Sequence, residues 1–132
     1  MKLGLSTAAA LVFSLLANHA CASDTDPWLG ADKALHLGVS AGLAAGGYAV
    51  SSFWLDRRYE RALAGGVLSL TLGASKELWD LSGHGDPSWR DFTWDAVGTA
   101  VGIALAVGVD ALISPNGEAR ARANAQGLVF HF

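Results

Sequence analysis

Three long apolar runs rich in glycine and alanine, about Leu35 to Leu55, Ala62 to Ser75 and Ala96 to Val109, follow a shorter apolar stretch at Leu3 to Leu16. Polar groups gather at the ends of these runs. Asp32, Lys33 and His36 open the first, Lys76, Glu77 and Asp80 close the second, and Asp91 and Asp95 open the third. Apolar runs of this length, without sustained alternation, predict helices rather than strands. Asp32 suits an N-cap or first turn, so the first helix is expected from there to about Leu55 or Asp56, with Asp56-Arg57-Arg58 as the turn. The second is expected from Arg58 to Leu81, stopped by Ser82-Gly83. Ser88-Trp89-Arg90-Asp91 has capping-box spacing, with Asp in place of the usual Glu, and the third helix should run to Ile113 before Ser114-Pro115-Asn116-Gly117. If the helices run up, down and up, every one of these polar groups lands at one end of the bundle.

The expected fold is therefore all-α: a signal peptide, then a three-helix, glycine-rich apolar bundle, favoured as membrane-embedded. Met1-Lys2, the Leu3 to Leu16 run and Ala20-Cys21-Ala22 have the layout of a cleaved secretory signal, with Ser23 as the new N-terminus. The organisation that follows is residues 1–22 as signal peptide, 23–31 as a polar lead, 32–114 as the helical domain and 115–132 as a flexible tail. Cys21 is the only cysteine, so no internal disulfide forms, and its position also allows a lipid anchor.

Composition sharpens the setting. With 52% apolar and 16% charged residues the chain is apolar for its 132 residues. A net charge of −3, without a basic patch interleaved with aromatics, argues against nucleic acid as a partner. Arg57, Arg58 and Arg61 lie between the first two runs, and Arg120 and Arg122 follow the third. With Ser23 outside, three spans would put both arginine clusters inside. Trp28, Trp79, Trp89 and Trp94 would then ring the outer end, and Phe53, Trp54 and Tyr59 the inner. A compact periplasmic bundle is the alternative. Gly38, Gly42 and Gly46 form two GxxxG steps nearly opposite the His36–Ser40 face, and suit a homodimer contact. Gly98 and Gly102 form one more.

Asp32, His36 and Ser40 share one helix face, as do Gly73, Glu77 and Asp80, and Asp91, Asp95, Gly98 and Thr99. The candidate polar site is thus Asp32, Lys33, His36, Lys76, Glu77, Asp80, Asp91 and Asp95. Glu77 and Asp80 stand near a helix C-terminus, where the macrodipole disfavours negative charge, and so require cationic partners or a bound ion. Lys33, Lys76 and Arg90 are the available cations. An internal ion-pair network is one reading. A divalent metal on His36, Glu77, Asp80 and Asp95 is a second, and acid–base chemistry at a buried carboxylate pair or a carboxylate–histidine pair is a third. The residues do not decide whether the chain is an enzyme.

The strings D-K-A-L-H-L-G-V-S-A-G-L at Asp32 to Leu43, L-G-A-S-K-E-L-W-D at Leu72 to Asp80 and S-W-R-D-F-T-W-D-A-V-G at Ser88 to Gly98 resemble the YfiM-like predicted periplasmic lipoproteins. The early D-K-x-x-H, a mid-chain acid and the late D-x-x-G more distantly resemble VanZ-like membrane proteins. The first resemblance implies an envelope protein without an assigned reaction, its motif residues falling on the eight positions of the polar site. The leading expectation is a non-enzymatic protein of the cell envelope, in the inner membrane with a periplasm-facing site or in the periplasm. It would bind a membrane lipid or other envelope amphiphile, or support an assembly. The alternative is a membrane-embedded hydrolase, metal-dependent or not, acting on an envelope lipid or cell-wall precursor.

Overall fold

The computed structural model describes residues 26–117. The expected signal peptide, its cleavage point, Cys21 and the segment from Glu118 to Phe132 lie outside the described residues. Within them are three α-helices and no strand: α1 (Ala31–Ser51), α2 (Arg58–Trp79) and α3 (Trp89–Ile113). A single π-helical turn, Asp80–His84, continues α2.

Two boundaries differ from the expectation, each for a local reason. α1 stops at Ser51 rather than near Leu55. The Ser51 and Ser52 hydroxyls donate to the carbonyls of Tyr48 and Ala49 at 2.9 and 2.6 Å, while the amides of Ser52, Phe53 and Trp54 bond three residues back. Hydroxyls competing for the last carbonyls and a tightened final turn end the helix early. At its far end α2 widens into the π turn, which closes at Gly83 with φ of 97°. That left-handed conformation suits glycine, and the Ser82 hydroxyl bonds the Trp79 carbonyl at 2.6 Å.

Close backbone approach holds the helices together. A Cβ on Gly98 would strike the carbonyl oxygen of Leu37, and one on Gly102 that of Ala41. Gly65 of α2 lies in the same way against the Ala44 carbonyl. The glycines of α2 and α3 thus seat both helices on α1. Gly38, Gly42 and Gly46, by contrast, meet nothing within 4 Å and form an open strip on the outer face of α1.

Burial runs opposite to the usual globular order. Among the described residues the buried apolar side chains are Ala44 and Tyr48, whereas Lys33, Ser40, Ser69, Glu77, Asp91, Asp95 and Thr99 are all buried. Large apolar side chains face outward along every helix, including Leu35, Val39, Leu63, Val67, Leu105 and Leu112. Among the described residues one helix, α3, is long and apolar enough to cross a membrane, and only 17% of its apolar window is buried inside the protein.

Candidate functional site

The first turn of α1, the last turn of α2, the first two turns of α3 and the lead before α1 meet at one end. Lys33 is the hub. Its ammonium, 3% exposed as a residue, donates to Asp26 at 2.6 Å, to Asp32 at 3.2 Å and to Asp91. One buried cation thereby ties the lead to α1 and α3. The Lys33 ammonium and then the Ser88 hydroxyl hold the Asp26 carboxyl below its usual range.

Deeper in the bundle, His36 faces Asp95 through Nδ1 at 3.0 Å, and Ser40 donates to the same Asp95 oxygen at 2.7 Å. The second oxygen of Asp95, Oδ2, is buried and has no hydrogen-bond partner among the described residues. It lies where Gly73 leaves room, since a Cβ there would come within 2.8 Å of it. Nε2 of His36 points the other way, 3.6 Å from Asp91 Oδ2 and 3.9 Å from Asp32 Oδ1. Below this layer a hydroxyl pair, Ser69 and Thr99 at 2.7 Å, continues the polar interior, with Ser69 also bonded to the Ser40 carbonyl at 2.9 Å.

On the α2 side, Lys76 pairs with Glu77 and Asp80 at 2.9 Å each and reaches Asp91 at 3.4 Å. Glu77 resolves the capping of α3. The Ser88 hydroxyl accepts from the Asp91 amide at 3.3 Å, as the capping-box spacing predicts. The reciprocal bond, however, comes from another helix: Glu77 Oε2 accepts the Ser88 amide at 2.7 Å. Asp91 is thereby released to face Lys33 and His36. Glu77 gains the positive end of α3, which offsets its position near the C-terminus of its own helix.

All eight residues of the expected polar site lie at this end. They do not form a single ligand set. His36 and Asp95 touch, but Glu77 and Asp80 meet instead at Lys76. The donor atoms that converge within 4.8 Å of one another belong to Asp32, His36 and Asp91. Arg90 stacks over Trp28 and Trp89 and donates to the Asp26 carbonyl, so it braces the lead instead of serving the carboxylates. His84 is exposed and stacks on Trp79 at 4.1 Å.

A second polar cluster closes the opposite end, and sequence reasoning missed it. Asp110 of α3 accepts from Tyr48 at 2.6 Å and Arg58 at 3.0 Å, with Arg61 at 3.5 Å. The signal was present: Asp110, like Glu77, is an acid about one turn from a helix C-terminus and so requires a partner. Asp26 was also missed, because a lone Asp in a polar lead carries no periodic cue. A scan against protein-family models, a search of curated proteins and a search of solved structures each find no match to this chain.

Proposed function

We propose that this chain is a membrane-embedded helical protein of the bacterial cell envelope. The Lys33–Asp91 end faces the periplasm, and the protein plays a non-enzymatic binding or structural role there. One observation carries the reading: the interior is polar and the exterior apolar. Lipid offers apolar side chains a medium as good as a protein core, so a bundle in lipid needs close backbone approach and internal polar contacts to hold its helices together. Gly65, Gly98 and Gly102 provide the first, and the Lys33, Asp95 and Asp110 contacts the second. Trp28, Trp79 and Trp89 are exposed at one end, and Phe53, Trp54 and Tyr59 at the other, as expected of two interfacial belts. Arg57 in the α1–α2 connection and Arg58 and Arg61 in the first turn of α2 favour the cytoplasmic side for the Asp110 end.

The non-enzymatic reading follows from how the charges are used. Lys33 and Lys76 engage Asp26, Asp32, Glu77, Asp80 and Asp91, and this set joins the lead and all three helices. Carboxylates exceed cations at this end, so a ligand bearing positive charge fits better than an anionic headgroup. The YfiM-like resemblance agrees with an envelope location. Topology is tested with Gly85→Cys and Arg57→Cys, each in a Cys21→Ser background. In intact spheroplasts a membrane-impermeant thiol reagent should label position 85 and not 57. Equal labelling of both, with release of the protein by osmotic shock, would establish a soluble bundle instead.

A further inference from the structure

The geometry points to a divalent-cation site formed by Asp32, His36 and Asp91 at the periplasmic end of the bundle. This deepens the binding role proposed above, and rests on that reading only for the side from which the ion arrives. Asp32 and His36 are four residues apart on α1, the spacing that puts two ligands on one helix face, and Asp91 faces them from α3. His36 Nε2 stands 3.6 Å from Asp91 Oδ2 and 3.9 Å from Asp32 Oδ1. Those gaps are too wide for hydrogen bonds. Donors held about 2.0–2.2 Å from a tetrahedral ion lie roughly 3.4 Å apart, so a set whose donors all lie within 4.8 Å of one another must contract to close on an ion.

The outer contacts hold the candidate ligand oxygens in place. Lys33 takes Oδ2 of Asp32 and Oδ1 of Asp91, so it fixes both carboxylates and leaves the other oxygen of each toward His36. Lys76 reaches Asp91 Oδ2 only at 3.4 Å and has shorter contacts, 2.9 Å, with Glu77 and Asp80. An independent observation lies behind the ring. Asp95, its side chain 5% exposed, is aimed at His36 Nδ1 and carries an oxygen with no partner among the described residues. A carboxylate accepting from Nδ1–H sets the tautomer that presents the Nε2 lone pair, and its surplus buried charge strengthens the imidazole as a ligand. Three protein ligands would leave at least one coordination position for water or a donor group of an envelope molecule.

The test is calorimetric titration of the full chain, purified in detergent and stripped with chelator, with Zn²⁺ and with Mn²⁺ alone. One ion should bind per chain. Asp32→Asn alters an exposed first-turn side chain, and together with His36→Gln it defines the site: each should weaken binding at least tenfold, with metal-free melts confirming that the variants fold. Asp95→Asn, at a positioning residue, should weaken binding about 10–100-fold. His84→Gln should change nothing. The proposal is overturned if neither ion binds saturably, if Asp32→Asn and His36→Gln bind as the parent does, or if His84→Gln abolishes binding. Because titration in detergent does not depend on sidedness, its failure and a failure of the spheroplast labelling are separate results.

Discussion

Glu77 shows how a residue that looks misplaced along the sequence is explained by its three-dimensional neighbour. It is 2% exposed, near the end of α2, yet it accepts the N-cap amide of α3, that of Ser88, and pairs with Lys76. Glu77→Gln keeps an acceptor for Ser88 and leaves Lys76 with Asp80 and Asp91. It should therefore cost only about 1–2 kcal/mol, the scale of a weakened charge-assisted hydrogen bond. Glu77→Ala leaves the Ser88 amide buried and unpaired and should cost more, about 2–4 kcal/mol, as both a hydrogen bond and a cap are lost. Thermal melts in detergent separate the two, and equal melts for parent and Ala variant would show that the amide is satisfied by solvent. Asp26 gives the pH dependence. Its carboxyl is held below the usual value by Lys33, so its contribution is present above 3.8 and is lost as pH falls through the lower folded value. Asp26→Asn should flatten the acid limb of the melt-versus-pH curve and leave its neutral-pH slope unchanged. The local need for a cation at Glu77 was legible in the sequence. That the need is met partly by a helix N-terminus was not, because it depends on which element lies opposite.

At the scale of elements, the three helices, their order and the shared polar end are all foreshadowed by where charges interrupt the apolar runs. Helix ends were less legible wherever hydroxyls or a glycine redirected the last turn, as at Ser51–Ser52 and Gly83. The glycine steps divide into two kinds that look alike in sequence. Gly98 and Gly102 carry the α1–α3 approach, while Gly38, Gly42 and Gly46 face outward. Gly98→Val drives side-chain atoms into the Leu37 carbonyl and should destabilise the bundle by about 3 kcal/mol or more, the upper range of overpacking. Gly42→Val has open space and should leave the monomer's melt within about 0.5 kcal/mol. If the outer strip is a homodimer contact, the same Gly42→Val should still lower the dimer fraction in crosslinking or sedimentation. An unchanged melt with an unchanged association state would remove that strip from the interface.

Across the whole molecule, polar side chains gather at two ends and are separated by a tight layer of small residues, Ala44, Gly65 and Gly102. Sequence reading found the first end because three runs converge on it, and passed over the second because a single acid, Asp110, carries it. The two ends are built alike: a carboxylate on α3 engages cations from another helix. Along α3 they stand about 28 Å apart, nineteen residues at ~1.5 Å each from Asp91 to Asp110. Asp110 is half-buried against Arg58 and Arg61, so Asp110→Asn should cost about 2–3 kcal/mol, less than the ~3–5 kcal/mol of a fully buried pair. It should leave Zn²⁺ binding and position-85 labelling as in the parent. Combined with Glu77→Gln, the losses should add within about 0.5 kcal/mol, because the two sites share no partner and lie well beyond the separation at which substitutions couple. A double variant that departs from the sum by more than about 1 kcal/mol would mean that the small-residue layer transmits strain, and that the polar ends act as one unit rather than as two independent clasps.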